Sequence, residues 1–100
     1  MLIAAACSGR HGAEVGVSLV TKDSTNPFFV AMQEGAQKEA AARGVDLTIA
    51  AGKRDGDEEG QVQAVENAIA RGERGILITP NGPGVNVALR KAREAGLYVI

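Results

Sequence analysis

The chain has little of what most often staples a fold or performs chemistry. Cys7 is the one cysteine and His11 the one histidine among 100 residues. A disulfide within the chain is therefore excluded, as is a zinc cluster built from these two ligand types. Tryptophan is absent, and the aromatic side chains are Phe28, Phe29 and Tyr98. The eleven basic and twelve acidic residues nearly cancel, without a long run of either sign, which argues against nucleic acid as a partner. No apolar run approaches the length needed to cross a bilayer. At this length folding buries about 60 to 65% of the surface of the unfolded chain, enough for one domain, or part of one, with a modest core.

What is present is a regular alternation from Glu14 onward. Val15, Val17 and Leu19 predict a period-two strand running through Val20, and Val45, Leu47 and Ile49 predict another. Gly75 to Thr79 is a near-continuous apolar run, as expected of a parallel strand covered on both faces. A fourth strand is predicted in the closing Leu97-Tyr98-Val99-Ile100.

Three helical patterns lie between the strands. The first opens with Asn26 at the N-cap and Pro27 in the first turn, carries Phe29, Met32, Ala36 and Ala40 on one stripe, and stops at Gly44. The second follows Asp57 as N-cap, with Val62, Val65 and Ile69 inward, and ends at Gly72. The third runs from about Val85, with Leu89 and Ala92 inward, to Gly96. Strand and helix repeated at this spacing imply right-handed βαβ units. The expected fold class is α/β, a parallel doubly wound sheet of order 2-1-3-4 with helices on both faces. In such sheets ligands bind outside the carboxyl ends of the strands, where the winding reverses. Two loops meet there, Thr21 to Asn26 and Pro80 to Gly84.

The first of these loops lacks the glycine-rich turns that cradle nucleotide phosphates. It offers instead Thr21, Lys22, Asp23, Ser24, Thr25 and Asn26, a dense set of donors and acceptors, followed by two adjacent rings. That pairing suits a polyol, whose edge carries hydroxyls and whose faces carry C–H groups. Phe28 and Phe29 stand about 100° apart around a helix axis, so Phe29 fits the apolar stripe and Phe28 the cleft. Lys22 and Asp23 also fit the blander role of a solvated surface pair. In the second loop Lys53, Asp55 and Asp57 sit on a glycine-punctuated turn; capping and solvation account for such charges, with ligand binding by Asp55 as the sharper reading. No nucleophile has a base beside it, since His11 precedes the strand scaffold, so an enzyme is not expected and no cofactor is assigned.

Ahead of the scaffold, Ile3-Ala4-Ala5-Ala6-Cys7 resembles a lipobox, the site at which bacterial lipoprotein precursors are cut before a cysteine that takes the lipid. By that resemblance residues 1–13 are a signal remnant and linker, Cys7 is the lipidated residue, and 14–100 form the folded part. The basic and longer apolar regions of a full signal are absent.

From Val15 to Ile100 the sequence resembles the N-terminal part of the periplasmic sugar-binding proteins of bacterial ABC importers, of the ribose-binding and fructose-binding type. The segments that carry this are VGVSLVTKDSTNPFF, EGAQKEAAARGVDL, AGKRDGDEEGQVQAVENAIARG, GILITPN and KAREAGLYVI. The resemblance implies part of the N-terminal lobe of a two-lobed receptor that closes on a monosaccharide and delivers it to a membrane permease. Asn26 would make polar contacts, Phe28 and Phe29 would stack on the sugar, and Lys22 would reach a hydroxyl. Lactose-repressor-type regulators share this fold and are the alternative, but they carry a helix-turn-helix ahead of the first strand, where LIAAACSGRHGA stands. A flavodoxin-like enzyme is a third alternative, for which no catalytic or cofactor residues are found.

Overall fold

The computed structural model describes residues 15–100. The strands are β1 (Gly16–Thr21), β2 (Asp46–Ala51), β3 (Gly75–Ile78) and β4 (Tyr98–Val99). Between them run α1 (Pro27–Arg43), α2 (Glu58–Ala70) and α3 (Asn86–Glu94), the last entered through a 3₁₀ turn at Pro83–Val85. Every strand pairing is parallel, in the order β2-β1-β3-β4. This is the doubly wound order expected from the strand and helix alternation.

The helix ends follow from local chemistry. Asn26 Oδ1 accepts the Phe28 N–H at 2.9 Å, and Pro27, which has no N–H to satisfy, opens α1. At its other end Gly44 takes a φ of 70°, a left-handed conformation that costs glycine little. Asp57 Oδ1 accepts the Gly60 N–H at 3.0 Å to open α2.

Successive residues of β1 face opposite sides of the sheet. Val20, fully buried, joins the main core of Ala64, Val65 and Ala68 from α2, Leu89 and Ala92 from α3, and Ile76 from β3. Helices α2 and α3 pack against each other on this side. Leu19 lies on the other face, where α1 packs on β1 and β2 and buries Phe29 and Ala40. Helices thus cover both faces, but unequally. The expectation that β3 is covered on both faces holds on one side only. On the α1 side Leu77 is half-buried, and it lines with Val15, Val17, Tyr98 and Ile100 an open apolar hollow of about 450 Å³. The reason is geometric: α1 connects β1 to β2 and lies over that half of the sheet, away from β3 and β4.

Toward the amino end of β1 a polar cluster, buried at Ser18 and Glu73 and exposed at Arg71, pins the chain between α2 and β3. Ser18 Oγ donates to Glu73 Oε1 at 2.6 Å, and Arg71 Nε donates to Glu73 Oε2 at 2.8 Å. This cluster sits at the opposite end of the strands from the loops discussed next. The segment 1–13, including Cys7, lies outside the described residues.

Candidate ligand-binding site

Winding reverses between β1 and β3, and the loops leaving their carboxyl ends stand at the edge of the sheet where ligands of such folds bind. The wall after β1 is built first from Thr21 and Asp23. Thr21 is fully buried; its hydroxyl donates to the Asp23 carbonyl at 2.9 Å and accepts from Gln33 Nε2 of α1 at 2.9 Å. Asp23 turns inward: its Oδ1 accepts the Asn26 N–H at 2.7 Å and the Thr25 N–H at 2.9 Å. The Asn26 N–H, then the Thr25 N–H, hold the Asp23 carboxyl below its ordinary pKa, because both bonds favour the charged form. Asp23 is therefore no solvated surface charge, as a bare loop aspartate would be, but the organiser of the loop. The signal was in the sequence: an aspartate two residues before Thr25 and three before Asn26 is the spacing of an Asx turn.

This loop and the first turn of α1 carry four of the expected contact residues, Lys22, Asn26, Phe28 and Phe29. Asn26 is exposed; its Oδ1 is committed to the cap, while its amide NH₂ has no acceptor among the described residues. Phe28 is 64% exposed and Phe29 only 7%. The two rings meet edge to face, with centroids 5.1 Å apart, so buried Phe29 forms a floor against which exposed Phe28 is held. Lys22 is half-buried, and its ammonium forms no salt bridge among the described residues. Asp55 stands apart from these. It is exposed at the tip of the β2–α2 turn, beside Gly56, and hydrogen-bonds to none of the other candidates.

The β2–α2 and β3–α3 loops are tied into the same wall. Asp57 accepts the Lys53 N–H at 2.8 Å as well as the Gly60 N–H, and these bonds, in that order, keep its carboxyl below the ordinary value. Glu58 Oε2 accepts the Gly84 N–H at 3.0 Å, in a space that exists because Gly82 and Gly84 carry no Cβ. Gln61 and Asn81, which sequence reading did not single out, link the loops to each other. Gln61 stands on the buried stripe of α2 with Val65 and Ala68, a polar residue at an inward position. Among the described residues no group of three His, Cys, Asp or Glu side chains could hold a metal ion, and no described helix is long and apolar enough to cross a membrane. The arrangement offers hydrogen-bonding groups and an exposed ring at the carboxyl edge of the sheet, which is binding chemistry.

Residues 16–100 match the periplasmic binding protein domain family. The chain belongs to that family. Its likeness to the ribose import binding protein of Escherichia coli (strain K12) is 31% identity over 99 residues, covering 98% of this chain and 33% of the relative. The D-allose-binding periplasmic protein of the same organism is 33% identical over 85 residues, covering 83% of this chain and 27% of the relative. Among solved structures, an ABC transporter periplasmic solute-binding protein from Actinobacillus succinogenes with bound D-allose superimposes with a TM-score of 0.79 at 30% identity, over 86% of this chain and 30% of that one. A solute-binding protein from Burkholderia multivorans gives 0.82 at 28% identity, with 86% and 31% covered. This periplasmic binding protein chain thus spans about a third of the length of the relatives it matches. These relatives are named as binding proteins and not as enzymes.

Proposed function

We propose that this chain is part of the N-terminal lobe of the substrate-binding component of an ABC-type sugar importer, and that the complete receptor binds a monosaccharide, fructose or a related sugar, between two lobes. The observation that carries this reading is the β1–α1 loop: an exposed ring, Phe28, beside the free amide of Asn26, at the point where the sheet's winding reverses. A sugar needs both an apolar face and hydrogen bonds at its edge. Asn26 Nδ2 and the Lys22 ammonium take hydroxyls, Phe28 takes a C–H face, and Phe29 supports Phe28 from beneath. Asp55 reaches the ligand from the neighbouring loop. The names of the relatives add ribose and D-allose to the sugars to be tried.

The remaining roles follow from the same reading. The receptor works outside the cytoplasmic membrane, in the periplasm, held there through a lipid on Cys7, and it passes its sugar to the importer's permease. Calorimetric titration of the full-length receptor with fructose, ribose, D-allose, xylose and glucose tests the proposal. Saturable binding of one of them with 1:1 stoichiometry supports it. Absence of heat with every sugar, in a protein shown to be folded, refutes it.

A further inference from the structure

Three loops leave the carboxyl ends of β1, β2 and β3, and a loop that must present side chains to a ligand is usually the mobile part of a domain. Here two side chains join them. Gln61 has no exposed surface, and its Nε2 donates to the Thr21 carbonyl at 2.9 Å and to the Thr79 carbonyl at 3.0 Å. Its Oε1 accepts the Asn81 N–H at 2.7 Å. One amide thus fastens the ends of β1 and β3 to α2, at the reversal of winding.

Asn81 continues the link. Its Nδ2 donates to the Lys22 carbonyl at 3.2 Å and the Asp57 carbonyl at 3.1 Å, with the Arg54 carbonyl at 3.4 Å. Only the NH₂ end can face carbonyls, so the acceptors dictate the orientation of the amide. The β2–α2 loop approaches closely enough because residue 52 is glycine: a Cβ there would lie 2.8 Å from Asn81 Nδ2 and 2.8 Å from the Lys22 carbonyl oxygen. The fold accepts a cost at this point. Asn81 Oδ1 and the neighbouring Thr79 Oγ1 are buried without a hydrogen-bond partner among the described residues. Local violations of this kind concentrate where position matters more than stability.

We infer that Gln61 and Asn81 are positioning residues, which lock the carboxyl-end loops into one rigid wall so that Lys22, Asn26 and Phe28 are already in place when a ligand arrives. The inference rests on the proposed sugar-binding role for its consequence, affinity, but not for the rigidity itself. Apparent affinity falls by the fraction of molecules whose loop is in the competent arrangement, so a loop in place about a tenth of the time binds about tenfold more weakly.

The test uses the full-length receptor and two isosteric variants, Asn81→Asp and Gln61→Glu, which keep size and remove the donors. Asn81→Ser serves if a carboxylate against these carbonyls prevents folding. A core variant of matched melting temperature, Ile76→Val or Ala92→Gly, controls for stability. Amide hydrogen exchange without ligand is the first readout: faster exchange at Lys22 to Phe28 in the brace variants, and not in the control, supports the inference. Unchanged exchange there overturns it. The second readout is affinity for the bound sugar, expected to fall about tenfold or more in the brace variants and to stay at the parent level in the control; parent affinity in Asn81→Asp overturns the positioning role. If the parent binds no sugar, the functional proposal fails and the brace is judged by exchange alone.

Discussion

Replacing Phe28 by alanine should cost the complete receptor much of its affinity and little of its stability. The ring is 64% exposed, so of about 200 Å² of side-chain surface only a third or so is buried in the fold. At about 25 cal/mol per Å² that is under 2 kcal/mol, and alanine returns some of it through its higher helix propensity, about 0.5 kcal/mol. The net destabilisation should therefore be about 1 kcal/mol. A sugar lying on the exposed face would cover about 80 Å² of apolar surface, worth about 2 kcal/mol, or roughly 30-fold in affinity. Phe29→Ala should behave in the opposite way: that ring is 7% exposed, and truncating a buried phenylalanine costs about 3 to 5 kcal/mol. Denaturant unfolding and calorimetric titration, run on both variants, separate the two quantities. A Phe28→Ala protein that keeps the parent's affinity and loses more than about 2 kcal/mol of stability would refute the assignment of this ring to the cleft.

Three further outcomes are expected. The lowered pKa of Asp23 means that its bonds to the Thr25 and Asn26 amides contribute stability at and above the ordinary value of 3.8, and that this contribution is lost as pH falls through the lowered value. A ¹³C carboxyl titration should place the Asp23 midpoint below 3.8; a midpoint at or above it would contradict the loop geometry. The 100-residue chain by itself should associate, since Tyr98 and Ile100 are 70% and 78% exposed along the apolar hollow. Light scattering should find a monomer only after Tyr98→Lys and Ile100→Lys, and a monomeric parent would remove this face as the cause. Finally, behind a complete export signal in a bacterial host, Cys7→Ser should move the protein from the membrane to the soluble fraction, and identical fractionation of parent and variant would end the lipidation proposal.

Much of the fold was legible because local signals agreed. Asn26 before Pro27, Asp57 before an apolar stripe, and glycines at 44, 72 and 96, each now with a positive φ, marked every helix. The strand order followed from the connections, which leave few alternatives once handedness is fixed. What escaped was polar and long-range. Gln61 meets Thr21 across 40 positions of sequence and Asn81 meets Lys22 across 59, and no periodicity encodes such pairs. Asp23 is ambiguous in the sequence, where a loop charge fits solvation and its spacing to Thr25 and Asn26 fits an Asx turn; the folded loop, with Asp23 Oδ1 accepting both amides, decides for the turn. The open side of β3 escaped because an apolar run reports what a strand tolerates, and says nothing of whether a helix lies over it.

The central claim is that a monosaccharide sits on the β1–α1 loop at the reversal of the sheet. A crystal structure of the full-length receptor grown with its bound sugar tests this most directly. The account predicts the sugar against the face of Phe28, with a hydroxyl within hydrogen-bond reach of Asn26 Nδ2 and its other side covered by the second lobe. A sugar bound in a site that leaves Asn26 and Phe28 in contact with solvent would contradict it.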